Sequence, residues 1–434
     1  MGKISRRSAA MTGGIAILSL LSLMPRSTAL AGAPGSPDNP PLPLDAPAEP
    51  DVAPAASGFE NNLTGGWWGQ RQRLQDAGIT IGATLTLEGF NNFRGGLATA
   101  PAVGAATSDF NLAVDTDKLL HWRGGEFYAD LEDHAGRNPT TVLVGDLQVF
   151  DKQNSSQYLQ IFEIWYQQKL LDDKIRIKIG KVDANTEFSV IDNGLPFLNS
   201  SAQVSPTIFV FPTTPDPMPS VNVFFAPNEF WYAGFGAYYA NRSDRFGELA
   251  DNPASVQRTE GGTFLIGETG LKWHAAPLFA AGGNLKAGAW EHSGTFTRLD
   301  GSEQQGAYGG YAILDQTLWQ PQGEPDNGRG VRTFLEYGGT QEDINAIDRH
   351  FGGGVTWTGP IGARPGDIIG VSPQYAHISS QAGLAHPYEL ALETFYQWQL
   401  THWAFIQPDV QYIVHPGGAH PNALVGTLRL QITF

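Results

Sequence analysis

The chain has 434 residues, a formal net charge of −16 and no cysteine. The acidic balance argues against a nucleic-acid-binding protein, and the lack of cysteine excludes disulfides as the stabilising element. Only 16% of residues are charged, 11% are aromatic, and there are 52 glycines, whereas ordinary globular chains carry more charge and less glycine. This composition favours a large antiparallel sheet with lipid contact.

The N-terminus has the parts of a secretory signal peptide. Lys3, Arg6 and Arg7 form a basic region, residues 15–24 are apolar, and residues 29–31 (ALA) form a small-x-small cleavage site. The apolar run is about half of the ~20 residues that a spanning helix needs. The Arg6-Arg7 pair also lacks the bulky apolar residues that directly follow it in a twin-arginine signal.

We therefore predict that residues 1–31 are removed on export, which takes the formal net charge from −16 to −20. Residues 32–57 contain mainly Gly, Pro, Asp and Ala, a composition typical of a disordered or extended linker. The folded body is predicted to be 58–434.

Sixteen segments of the body alternate apolar and polar residues with a period of two, which predicts β-strands. In the first segment, for example, Ile79 and Ile81 alternate with Thr80. The segments are 79–90, 108–114, 126–133, 158–169, 174–181, 221–225, 231–239, 263–273, 285–292, 309–318, 331–337, 351–358, 369–378, 390–400, 403–414 and 424–434.

The predicted connections alternate between long and short, as in outer-membrane barrels. The long ones are 91–107, 134–157, 182–220, 240–262 and 293–308, and the shortest are 170–173, 226–230 and 401–402. A soluble sandwich gives no reason for this alternation. No apolar run after the signal peptide could form a spanning helix, so a membrane protein with this sequence must be a closed barrel. An even strand number places both termini on the periplasmic side.

The last segment is predicted to close the barrel by pairing with the first. Its alternation directs Leu428, Leu430 and Ile432 to lipid and Arg429 to the lumen, and the segment stops at the aromatic Phe434. Aromatic residues at other strand ends fit interfacial girdles. They are Trp231, Tyr232, Tyr238, Tyr239, Trp273, Trp357 and Trp403.

The same alternation predicts which side chains line the lumen. On 158–169 it assigns Phe162, Ile164 and Tyr166 to lipid. Charged side chains are costly on the lipid face, so most of the inward ones are expected in any outer-membrane barrel. The predicted pore-lining residues are Glu88, Asp130, Glu132, Glu163, Trp165, Arg176, Lys178, Arg332, Glu336, Glu393, Gln411 and Arg429.

The longest connection, 182–220, contains no Lys or Arg but has four acidic residues, Asp183, Glu187, Asp192 and Asp216. We predict that it folds into the barrel and presents an acidic edge opposite Arg176, Lys178 and Arg332. The alternative is a surface loop over the mouth.

Several stretches together resemble the carbohydrate-selective porins of the OprB family. They are 62–69 (NLTGGWWG) followed by Arg71, Arg73 and Gly78, then 162–168 (FEIWYQQ), 180–188 (GKVDANTEF), 197–201 (FLNSS) and 407–418 (QPDVQYIVHPGG). The resemblance covers roughly 58–434. Two departures are Trp67-Trp68, where the family usually has Trp-Gly, and the proline-rich loop 182–220.

This resemblance implies an all-β fold, a transmembrane antiparallel barrel of about 16 strands with a narrowed lumen in the bacterial outer membrane. It also implies passive diffusion of small carbohydrates, monosaccharides such as glucose, into the periplasm, without a cofactor. The predicted pore-lining residues are then candidates for sugar binding, because a sugar needs donors, acceptors and an aromatic face. The partners implied are small sugars, outer-membrane lipid and the barrel-assembly machinery, which would read Phe434 as its signal. A nucleic acid partner is not expected.

Three alternatives stay open at this point. Asp130 and Glu132 lie about 7 Å apart along one strand face, a spacing that an inverting glycosidase could use, but such pairs are common on polar strands. His415 and His420 flank a turn and form no recognisable metal motif. A non-specific or organic-acid-selective porin would have the same barrel. The preferred sugar, the pore radius and the choice between monomer and trimer are also open.

Overall fold

The computed structural model describes residues 62–99, 102–153, 157–240, 261–274, 281–321 and 328–434. The predicted signal peptide (1–31) and linker (32–57) lie outside the described residues. None of the helices in the described ranges is long and apolar enough to cross a membrane.

Sixteen antiparallel strands form one closed barrel in which each strand pairs with its neighbours in sequence and the first pairs with the last. This confirms the predicted fold and strand number. The strands are β1 (Ile79–Arg94), β2 (Val103–Asp115), β3 (Gly125–Gly136), β4 (Tyr158–Leu170), β5 (Ile175–Val182), β6 (Met218–Asn228), β7 (Trp231–Tyr239), β8 (Thr263–Trp273), β9 (Gly283–Thr297), β10 (Glu303–Trp319), β11 (Gly330–Thr340), β12 (Ile347–Thr358), β13 (Ile368–Ile378), β14 (Tyr388–Thr401), β15 (Ala404–Val414) and β16 (Ala423–Thr433).

Within the described residues, helical structure is confined to short segments outside the strands. The α-helices found there are α1 (Gln70–Asp76), before β1, and α2 (Thr116–Leu120), between β2 and β3. Single turns of 3₁₀-helix or π-helix are Trp67–Gly69, Thr140–Val144, Ala184–Thr186, Asp192–Gly194, Ser200–Ala202, Ser380–Ala382 and Pro416–Gly418.

Several strands are longer than the alternation predicts, so some connections are shorter. The predicted long loop 293–308 is wrong, because β9 runs to Thr297 and β10 begins at Glu303. The pairing of β9 with β10 continues beyond the apolar stretches into mostly polar residues. The apolar–polar alternation therefore missed these strand ends. The long connections therefore cluster between β3 and β8, at the barrel end opposite the termini.

The alternation separates an apolar outer surface from a polar interior. Leu87, Ile179, Leu335 and Leu428 are exposed on the outside, whereas their inward neighbours in sequence are buried. Phe162 departs from its predicted outward position. It lies at a β-bulge in the pairing of β3 with β4 and is buried, because a bulge shifts the alternation by one residue.

Tryptophans surround the end of the barrel that carries the termini. Tyr232 and Tyr238, assigned to a girdle by the sequence pattern, instead face inward and are buried. The reason is the strict alternation of β7, which places Trp231 and Tyr239 outside and these two tyrosines inside. The exposed tryptophans at this end are Trp68, Trp122, Trp231, Trp319, Trp357 and Trp398.

The first and last strands meet in register from Thr84–Thr433 to Arg94–Leu424, with Glu88 opposite Arg429. The segment before β1 covers the end of this seam. The buried guanidinium of Arg71 donates to the carbonyl oxygens of Phe434 at 2.8 Å, Gly65 at 3.1 Å and Ile81 at 3.4 Å. One side chain therefore joins the N-terminal segment to both edges of the seam.

We expect Arg71→Ala to lower the free energy of unfolding by about 2–3 kcal/mol, because it leaves buried carbonyls without a charged donor. The measurement is the denaturant midpoint for unfolding of the reconstituted full chain, with the folded form detected by its gel migration. Arg73→Ala is the matched control, since Arg73 lies on the same helix and is exposed. Equal midpoints for the two variants would contradict the role given to Arg71.

Candidate functional site

The candidate site is the interior of the barrel. Of the twelve predicted pore-lining residues, eleven are less than a tenth exposed, and Arg332 is half-buried. They lie on strands β1, β3, β4, β5, β11, β14, β15 and β16. Whether each of them lines the passage for solute stays a prediction, but their burial shows that protein groups occupy much of the lumen.

The connection between β5 and β6, residues 183–217, folds into the barrel, as the sequence predicts, and is called the collar here. Its outward leg, 183–199, contacts successive strands of the inner wall from β5 around to β15. Its return leg, 200–217, passes back to β4 and enters β6. The collar therefore follows the inner wall.

Carboxylates on the wall accept hydrogen bonds from the backbone of the outward leg. Glu268 on β8 accepts from the Ser189 N–H at 2.9 Å. Asp315 on β10 accepts from the Asn193 N–H at 2.9 Å and from the Asp192 N–H at 3.3 Å. These bonds satisfy backbone donors in a segment with little regular secondary structure.

The same arrangement recurs further along the outward leg. Glu393 on β14 accepts from the backbone N–H groups of Leu198 at 2.6 Å and Asn199 at 3.1 Å. The Asn199 side chain donates to Gln411 on β15 at 3.1 Å. Glu393 and Gln411, predicted as sugar contacts, thus hold the collar.

Two groups of ion pairs fix the outward leg. Glu187 binds Arg176 at 2.6 Å and also binds Lys178, both on β5, which confirms the predicted contact between the acidic edge and these two cations. Burial raises the pKa of Glu187, but Arg176 and Lys178 lower it more, and the net pKa lies below the usual value. Asp192 pairs instead with Lys286 on β9 at 2.8 Å.

The predicted contact between the collar and Arg332 is wrong. The Arg332 guanidinium donates to the Gly328 carbonyl at 2.7 Å and to the Thr358 hydroxyl at 3.4 Å. Arg332 lies near the start of β11, so the adjoining turn supplies acceptors closer than the acidic side chains of the collar.

Aromatic rings pack the collar against the wall. Phe197 contacts Phe334 and Phe395, with ring centroids 5.9 and 5.1 Å apart. It lies over Gly354 and Gly370, where a Cβ would come within 3.1 and 3.0 Å of its ring. A Cβ at these glycines would come even closer to the wall rings, 2.5 Å from Phe334 and 2.3 Å from Phe395, so the glycines make room for the whole aromatic group. Further contacts join Phe209 to Trp290 and Phe211 to Phe264.

A second connection, 137–157, also reaches into the interior through its described residues, which the sequence analysis did not predict. Glu389 on β14 accepts from the backbone N–H groups of Leu147 and Gln148, each at 2.9 Å. Within this connection, burial raises the pKa of Asp146 to about 6. The apolar run 142–144 was the sequence signal for burial.

An aromatic and cationic cluster lies on β3, β4 and β5. The Trp165 ring stacks on Tyr128, with centroids 4.9 Å apart and planes 21° apart. The Lys178 ammonium lies 3.9 Å from the Trp165 ring centroid. Glu163, two residues before Trp165, accepts from the Asp183 N–H at 2.8 Å. This cluster brings an aromatic pair together with charged groups.

Polar side chains connect the seam to the second connection. Arg429 donates to Glu88 at 2.6 Å and lies 3.5 Å from Asp151.

On β3, Glu132 accepts from the Tyr158 hydroxyl, and Asp130 is buried two residues before it. Glu336 on β11 is buried, 3.8 Å from His350.

Four wall residues that hold the two connections were not among the site residues predicted from the sequence. They are inward polar residues on predicted or extended strands, but nothing in the period of two shows which backbone they bind. Lys286 had one available signal, because it is a single cation between the apolar outward residues Leu285 and Ala287. The four are Glu268, Lys286, Asp315 and Glu389.

Comparisons with known proteins agree with this architecture. Porin B of Pseudomonas aeruginosa is 24% identical, over 88% of this chain and 94% of its own length. The high-pH structure of Pseudomonas putida OprB matches with a TM-score of 0.77 and 19% identity, covering 88% of this chain and all of that one. The low-pH structure of the same protein matches with a TM-score of 0.59, 18% identity and 87% of this chain.

The sequence model of the family described as carbohydrate-selective porin, OprB family, matches residues 104–434, which is most of the chain. The resemblance found in the sequence motifs is thereby confirmed. The chain belongs to the OprB family of carbohydrate-selective porins and is an outer-membrane channel for the diffusion of sugars.

Proposed function

We propose that the channel passes small uncharged carbohydrates, monosaccharides such as glucose, into the periplasm by passive diffusion. The observation that carries this proposal is the collar, which narrows a polar barrel beside an aromatic and charged cluster. A narrow passage forces a solute to exchange water for wall groups, so those groups and the diameter select it.

The sugar contacts in this proposal are the groups of the cluster on β3, β4 and β5. The faces of Trp165 and Tyr128 suit the C–H surface of a sugar ring, and Lys178 and Arg176 supply donors to its hydroxyl oxygens. Acceptors on the same side are Asp130, Glu132 and Glu163.

The other predicted site residues act indirectly in this proposal. Glu393 and Gln411 position the collar, Glu88 and Arg429 stabilise the seam, and Arg332 and Glu336 add to the polarity of the wall. None of them needs a catalytic role, and transport by diffusion requires neither a cofactor nor energy. We therefore propose a channel and not an enzyme.

Export and assembly complete the proposal. Residues 1–31 would be cleaved as a signal peptide, and 32–57 would link the cleavage site to the barrel. Phe434 would be the residue read by the barrel-assembly machinery, and the outer surface, including Leu428, would contact outer-membrane lipid.

Liposome swelling tests the selectivity. Proteoliposomes that contain the full chain should swell faster in glucose than in a disaccharide or in gluconate, an organic acid of similar size. The reason is that the narrowed lumen excludes the larger sugar and the buried carboxylates disfavour the anion. Fastest swelling in gluconate would contradict the proposal and favour an organic-acid porin.

Deleting 205–217 from the return leg should raise single-channel conductance, because it removes buried side chains such as Ile208 and Phe211 from the lumen. The measurement is conductance in a planar bilayer. A deletion of 361–363 in the turn between β12 and β13, at the other end of the barrel, is the control. If conductance is the same in the two deletions, the collar is not the constriction.

A further inference from the structure

Lys286 joins the wall to the collar at one point. It lies on β9, faces inward and is buried. Its ammonium donates to the Val190 carbonyl at 2.6 Å and to the Asp192 carboxylate at 2.8 Å, both on the outward leg. The Asp315 carboxylate of the neighbouring strand is 3.7 Å away.

The charge of Lys286 faces two acids. Asp192 on the collar and Asp315 on β10 are buried or half-buried carboxylates within ion-pair distance of its ammonium. Asp192 also accepts a hydrogen bond from Asn284 at 3.1 Å and is further stabilised by the charge of Lys272 on β8. Loss of the Lys286 charge would remove a cation that both carboxylates share.

The attachment on β5 differs in its balance of charge. There one acid of the collar, Glu187, binds two cations, Arg176 and Lys178. Either cation can be lost while the other still compensates the carboxylate. At the attachment on β9, Lys286 binds a collar carbonyl and faces two acids at once, so several contacts depend on one side chain.

We propose that Lys286 is a positioning residue that sets the size limit of the channel by holding the collar against β9. Because the outward leg already lies on the wall, a collar released there can move only into the lumen. Release therefore narrows the passage. This inference rests on the proposed function, in which the collar is the constriction.

The test is single-channel recording of Lys286→Met in the full chain, with folding checked by gel migration. We expect at least a twofold fall in mean conductance, with brief closures absent from the unmodified protein. Disaccharide swelling should fall at least threefold relative to glucose swelling. Lys286→Arg should restore steady conductance, because the charge and a donor are kept.

Lys174→Met is the matched control. Lys174 lies in the turn between β4 and β5, its side chain is exposed, and its replacement removes the same charge away from the collar. This control should conduct as the unmodified protein does. An equal fall in both variants would mean that charge alone, and not attachment of the collar, sets conductance, and would overturn the proposal.

A second variant keeps the proposal testable if Lys286→Met does not fold. Asp192→Ala removes the acid on the collar but leaves Lys286 paired with Asp315, so Lys286 keeps a carboxylate partner, and the variant should lower conductance in the same way. Steady, unchanged or raised conductance in the folded variant would overturn the proposal. These recordings use KCl alone, so failure of sugar selectivity in the unmodified protein would be a separate result.

Discussion

The structure of the lumen depends on hydrogen bonds from the collar backbone to carboxylates on the barrel wall. A segment inside a barrel must satisfy its backbone donors without a partner strand, and an ionised carboxylate is a strong acceptor that can take two N–H groups at once. Asp315 and Glu393 each bind two consecutive N–H groups of the outward leg, and Glu268 binds one. Because the acceptors belong to strands of the barrel, the collar follows the wall.

Acidic composition and channel architecture are linked by this arrangement. Inward acids such as Glu393, which the sequence pattern assigns to solute contact, bind the backbone of a loop instead. Their negative charge is balanced locally by a few buried cations, among them Lys286 and the Arg176–Lys178 pair. The position of the collar and the charge balance of the lumen therefore depend on one network, and a change in either is expected to alter the other.

The period of two predicted the barrel well, because burial on one side and exposure on the other act on every strand. The pattern failed at the bulge that buries Phe162, because local backbone geometry shifts the alternation there. It also failed for Tyr232 and Tyr238, which are aromatic residues near strand ends but occupy inward positions in the alternation. The contact of Glu187 with β5 was predictable from charge. The partners of Lys286 were not, because they depend on the path of an irregular segment.

The most direct test of this account is hydrogen exchange of the collar in the reconstituted protein. If wall carboxylates bind its backbone, amides in 189–199 should exchange as slowly as those of β9, although this segment contains little regular secondary structure. The turn 359–367 supplies the fast reference within the same molecule. Exchange of 189–199 at the rate of that turn would show that the collar is not held on the wall, and would contradict the account.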